Sequence, residues 1–139
     1  EHGFPGRYSA IHLGLTRPRR VLYERIDRRV EAMVAAGWVE ETRRLLEAGA
    51  DPDGPGMDAV GYREIVRVIR GEWGLPEAVV AIQKASRNYA KRQFTWFLKD
   101  ARIHWLEAEG VPVRALVGRL LRSNQLGVMR VDVSVRQTP

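Results

Sequence analysis

The chain has 139 residues, 45% of them hydrophobic and 29% charged, a composition that suits a globular domain, or one large piece of a bigger one, and excludes a disordered segment. Its formal charge is +6 and its pI about 10.3; this favours a polyanionic partner such as RNA, DNA or an acidic membrane surface, although arginine-rich chains also reach such values for compositional reasons alone. Cysteine is absent, which excludes disulfides and thiolate metal sites and fits a reducing compartment, and no apolar run approaches the roughly 20 residues of a membrane-spanning helix.

The chain opens Glu1-His2-Gly3-Phe4-Pro5, with neither an initiator Met nor a basic-then-apolar leader, so a fragment or a processed chain is expected. Residues 8–15 (YSAIHLGL) are short and apolar and stop at Thr-Arg-Pro, which predicts a buried strand. Thr16 is a candidate N-cap, and Pro18 stands near the first turn of the helix expected over 19–36. In that helix Leu22, Ile26, Val30 and Met33 form an apolar stripe, while Arg20, Glu24, Asp27 and Glu31 form a flank of alternating sign. Gly37 fits the C′ position. A shorter helix is expected over 39–48, with Glu40 and Glu41 in the first turn, where acids favour the dipole, and Gly49 as its end.

Residues 50–56 (ADPDGPG) are turn chemistry throughout and read as a tight surface loop. A third helix is expected over 59–70, with Ile65, Val66 and Ile69 inward and Gly71 closing it. A long fourth runs over 76–98, opened by a proline that forfeits no hydrogen bond there. Residues 102–106 (RIHWL) predict a second short strand, 111–122 an amphipathic helix, and 126–135 a strand. Strand, helices, strand is the closing portion of an α/β layer structure, mostly helical, with two short strands and about four main helices.

No G-x-x-x-x-G-K-[ST] stretch is present, and no serine stands in a nucleophile elbow. His2, His12 and His104 are scattered without metal-ligand spacing; structural roles are the plainer reading for the two that fall in strands.

What the chain offers is ordered cations. Lys84, Arg87 and Lys91 recur at i, i+3 and i+7 on the long helix, with Asn88, Arg92 and Lys99 beside them and no acid from Lys84 to Lys99. Ile82, Ala85, Tyr89, Phe94, Trp96 and Phe97 lie opposite, an aromatic underside expected to dock the helix. Such a rail suits phosphates, each Lys or Arg neutralising one and releasing counterions, and arginine can fork onto phosphate oxygens. An ordinary solvated face is the alternative, but solvated faces usually mix signs. On the first helix Arg25 and Arg29 are i, i+4. Arg29 borders the apolar stripe, so it either snorkels from the core edge or points into a cleft where it could meet a leaving diphosphate. In MDAVGYRE (57–64), Gly61 permits close backbone approach, Tyr62 can stack on an unpaired base and Arg63 can fork onto phosphate. Alternatively, Gly61 eases helix packing and Tyr62 belongs to the core.

Three blocks then carry a family resemblance: HLGLTRPRRVLYERIDRRVEAMVAAGWVEETRRLL (12–46), GMDAVGYRE (56–64) and RNYAKRQFTWFLKDARIHWLE (87–107). In this order they resemble the C-terminal portion of the tRNA dimethylallyltransferase (tRNA isopentenyltransferase) family, over about residues 8–107; residues 108–139 match none of them and read as an extension of unknown role. The resemblance implies a P-loop-type α/β core with a helical insertion. It also implies a cytoplasmic enzyme, monomeric at full length, that moves dimethylallyl from its diphosphate to N6 of the adenosine next to the anticodon, assisted by Mg²⁺. The P-loop, the catalytic base and the insertion precede the first block in that family, so no catalytic residue and no metal ligand is expected here. Carried over by position, Ala59, Val60, Gly61, Tyr62 and Arg63, with Arg87, Lys91, Arg92 and Gln93, look like contacts to the tRNA anticodon stem-loop. Arg29, with Arg25, looks like the side facing dimethylallyl diphosphate. Asp58 departs from the family pattern, standing where a Gln or a cation is expected. The rival reading is a stand-alone, non-enzymatic RNA-binding helical module.

Overall fold

A computed structural model describes residues 12–107, 114–115 and 117–118. These form two compact units. One contains β1 (His12–Thr16) and β2 (Ile103–Glu107), a parallel pair in the register His12 to Ile103 through Thr16 to Glu107. The other spans Arg19–Trp96 and contains α1 (Arg19–Ala35), α2 (Trp38–Glu47), α3 (Tyr62–Ile69) and α4 (Leu75–Phe97), whose last residue falls in the first unit. Two parallel strands and four helices are the expected α/β closing portion. The expected strand at 126–135, residues 8–11 of the first strand and most of the helix at 111–122 lie outside the described residues; 114–115 and 117–118 are helical.

Thr16 is not an N-cap. It is the last residue of β1 and pairs with Glu107, and the ladder claims its backbone before α1 begins at Arg19. Nor is β1 buried: His12 and Leu15 are exposed and the rest half-buried, because each strand here has a single neighbour. Gly14 lies under the Trp105 indole, where an added Cβ would stand 2.6 Å from Cε3. Ahead of β2, Asp100 accepts hydrogen bonds from Arg102 Nε at 2.9 Å and Nη2 at 2.7 Å, and these hold its carboxyl well below the usual carboxylate range.

The helical unit closes on Val30 of α1, Trp38 of α2, Ile65 of α3 and Ile82 of α4, with Val34, Val39, Tyr62, Ile69 and Val79 packed around them. Each helix thus contributes one buried anchor at its point of crossing, and removing that much apolar surface from water is what holds short helices together. Thr42 is fully buried and satisfied, its hydroxyl donating to the Trp38 carbonyl at 2.8 Å. Polar contacts join α1 to α4: Gln83 Nε2 donates to Glu31 Oε1 at 3.1 Å and to the Asp27 carbonyl at 3.3 Å, and Arg87 pairs with the Asp27 carboxylate.

Three expectations are corrected. Helix α3 starts at Tyr62, not near 59, because Gly61 at φ +105° lies outside helical space. Met33 of the α1 stripe is exposed, with Val30 carrying the burial. The aromatic underside is not the buried part of α4. Tyr89, Phe94, Trp96 and Phe97 are all exposed, Trp96 by 71%, and Ala78 and Ile82 in the first half are the buried residues. The packing of α4 ends at its polar joint with α1, made by Gln83 and Arg87, and residues 91–99 beyond that joint are all exposed.

Candidate nucleic-acid interface

The entry to α3 is built around Gly61. The Trp38 indole lies flush on it, so that a Cβ there would fall 2.1 Å from Cη2. The close approach foreseen at this glycine is therefore by a core side chain. The Glu64 carboxylate accepts from the Gly61 N–H at 2.9 Å, fixing the first turn. Tyr62 meets Trp38 edge-on, ring centroids 5.6 Å apart at 88°, and its hydroxyl donates to Glu41 Oε1 at 2.7 Å. That hydrogen bond, then partial burial and the Glu41 charge, raise the phenol pKa above its ordinary value. Tyr62 thus has a packing role of its own. Ala59 and Val60 are exposed in the turn ahead of it, and Arg63 projects outward into an ion pair with Asp58.

On α4, the expected cations divide. Arg87 is half-buried and committed to Asp27. Lys84, Lys91, Arg92 and Gln93 are exposed, and among the described residues none of Lys84, Lys91 and Arg92 pairs with a carboxylate. Arg92 sits over the Tyr89 ring, 5.8 Å from its centroid. Arg25 and Arg29 are likewise exposed on α1 and without a carboxylate partner among the described residues. Sequence reasoning missed Arg67 and Arg70. Their spacing from Arg63, i+4 and i+7, was the available signal; with Arg63 they line a cleft of about 310 Å³. It also missed Asp27 and Glu41, whose roles depend on helix pairings that a linear pattern does not carry.

Among the described residues, no group of three or more histidine, aspartate or glutamate side chains could hold a metal ion, so these residues do not fit a Mg²⁺ site. Among the same residues no helix is long and apolar enough to cross a membrane.

An exposed cation row, a small α-helical core, a parallel strand pair and a glycine-tyrosine-arginine turn between α2 and α3 are the features of this chain to set beside known proteins. The family model described as IPP transferase matches residues 1–100, and the chain belongs to that family. A tRNA dimethylallyltransferase of Syntrophobacter fumaroxidans is 44% identical over 115 residues, covering 83% of this chain and 33% of the relative. One from Symbiobacterium thermophilum is 48% identical over 108 residues, covering 78% and 34%. Among solved structures, the tRNA isopentenylpyrophosphate transferase of Staphylococcus epidermidis superposes with a TM-score of 0.78 at 33% identity, over 86% of this chain and 39% of that one. The full-length enzyme of Bacillus halodurans gives 0.73 at 34% identity, over 88% and 43%. The chain spans about a third of the length of the curated relatives it matches.

Proposed function

We propose that this chain is the C-terminal portion of a cytoplasmic enzyme that transfers dimethylallyl from its diphosphate to N6 of the adenosine next to the anticodon, and that its share of the work is to hold the tRNA. The relatives' names supply the reaction class. The observation that carries the reading for these residues is the outer face of α4: Lys84, Lys91 and Arg92 stand exposed with no carboxylate partner among the described residues. Cations left unpaired in this way are available to phosphates, and each one engaged releases counterions.

In the complete enzyme, the target adenine leaves its stack to reach the prenyl donor. The amine nitrogen attacks the allylic carbon, the carbon–oxygen bond breaks toward diphosphate, and the amine proton passes to a base that the resemblance places upstream of this chain. Lys91, Arg92 and Gln93 hold the RNA backbone, and the Ala59–Val60–Gly61 turn presents Arg63 beside it. Arg87 reaches RNA only by exchanging Asp27 for a phosphate, so its first duty is to join α1 to α4. Arg25 and Arg29 offer positive charge to the diphosphate as negative charge builds on it. Mg²⁺ assistance belongs to the same upstream part.

Charge reversal tests the grip. In the protein that carries this chain, Lys91→Glu with Arg92→Glu weakens tRNA binding by more than tenfold at low salt. It also lowers the slope of log affinity against log salt by about 2, one unit for each lost phosphate contact. Unchanged affinity and slope would show that the face is an inert solvated surface.

A further inference from the structure

The arginines of α3 recur on one side of the helix: Arg63, Arg67 and Arg70 are spaced i, i+4 and i+7. Together with Asp53 and Asp58 of the preceding turn, and Glu72 beyond the helix, they line the cleft of about 310 Å³. This far exceeds the roughly 10–15 Å³ that a single water requires, so a phosphodiester group fits. The three guanidiniums are held differently. Arg63 is paired with Asp58, and both side chains are exposed. Arg67 lies over the Trp73 ring, 4.6 Å from its centroid, a stack that fixes its plane and leaves its edge donors available. Neither Arg67 nor Arg70 pairs with a carboxylate among the described residues. Helix α3 is closed behind them by a Schellman turn, Glu72 N–H to Arg67 carbonyl at 2.9 Å and Gly71 N–H to Val68 carbonyl at 3.0 Å, so the stripe has a fixed end.

We propose that this cleft is a phosphate site for the RNA backbone, and that Asp58 is the resident counter-ion which the incoming phosphate displaces from Arg63. The inference rests on the RNA-binding reading above and extends it from Arg63 to Arg67 and Arg70. A carboxylate and a phosphate oxygen compete for the same guanidinium edge, and an exposed ion pair exchanges easily. Arg67 and Arg70, which have no carboxylate partner among the described residues, supply the further donors that favour phosphate once Arg63 is released. The lining as a whole is formally neutral, three arginines against three carboxylates, so it accommodates the single charge of a diester more readily than the several charges of free diphosphate.

The test uses the protein that carries this chain and an anticodon stem-loop RNA, with binding followed by fluorescence anisotropy at two salt concentrations. Asp58→Asn removes the competitor and tightens binding about two- to fivefold. In an Arg63→Gln background the same change produces no such gain. Arg67→Gln and Arg70→Gln each weaken binding about three- to tenfold and lower the salt slope by about 1. Because Arg70 is exposed, its variant reports on the cleft without disturbing the core. The cleft assignment is overturned if Asp58→Asn fails to tighten binding, or if the Arg67 and Arg70 variants bind as tightly as the parent. In that event a loss of binding on Lys91→Glu with Arg92→Glu shows that the α4 reading still stands, and its absence shows that both have failed. Competition by inorganic diphosphate that Asp58→Asn strengthens as much as it strengthens RNA binding would overturn the diester as occupant.

Discussion

Gly61 shows how one missing methyl group organises the entry to α3. Its φ of +105° is a conformation that side-chain-bearing residues avoid, and the Trp38 ring occupies the volume a Cβ would need. Both effects act on Gly61→Ala, the backbone term costing about 1–2 kcal/mol and overpacking about 1–3 kcal/mol. The variant is therefore expected to lose about 2–5 kcal/mol in a chemical-denaturation experiment, and a loss within about 0.5 kcal/mol would mean that Trp38 moves aside freely. A close approach at Gly61 was legible in the sequence, but with the glycine inside the start of the helix, not ahead of it. The identity of its neighbour was not, since Trp38 and Gly61 meet only when α2 folds against α3. Tyr62 likewise looked like a base-stacking ring; the structure gives it the Trp38 edge and the Glu41 carboxylate as partners. The same limit hid Asp58, whose charge was plain in the sequence but whose pairing with Arg63 was not.

At the scale of elements, helical periodicity located α1 to α4 among the described residues, and the bounds differ mainly where a glycine or a strand ladder overrides it. Which face of α4 would be buried was harder to read. Aromatic residues suggested the second half, but the buried residues are Ala78 and Ile82 in the first, and residues 91–99, past the Gln83 and Arg87 contacts to α1, are all exposed. The rail divides at the same place. Arg87 faces α1 and binds Asp27, whereas Lys91 and Arg92, one turn on, face outward. Removing a half-buried partner strands the other charge, so Arg87→Gln is expected to destabilise the fold by about 1–2 kcal/mol. Arg92→Gln is expected to change stability by less than about 0.5 kcal/mol. Thermal or denaturant unfolding of the two variants separates them, and equal stabilities would remove Arg87 from the α1–α4 joint. Its loss from RNA binding can be interpreted only after that comparison.

For the whole molecule, the family was legible because AVGYRE and YAKRQFTWF are specific strings at a fixed separation, and the match to IPP transferase over residues 1–100 agrees. The net charge of +6 by itself would have admitted DNA, RNA or a membrane surface equally. The proposal of RNA rests on the family together with the arrangement of the cations, a row on the outside of one helix and further arginines at 63, 67 and 70. No phosphate-cradling loop motif occurs in these 139 residues, which span about a third of the curated relatives' length. The most direct measurement is lysine footprinting of the protein that carries the chain, with acetylation rates compared in the absence and presence of saturating tRNA. The account predicts that Lys91 is protected at least severalfold in the presence of tRNA. Acetylation of Lys91 at the same rate in both states would contradict it.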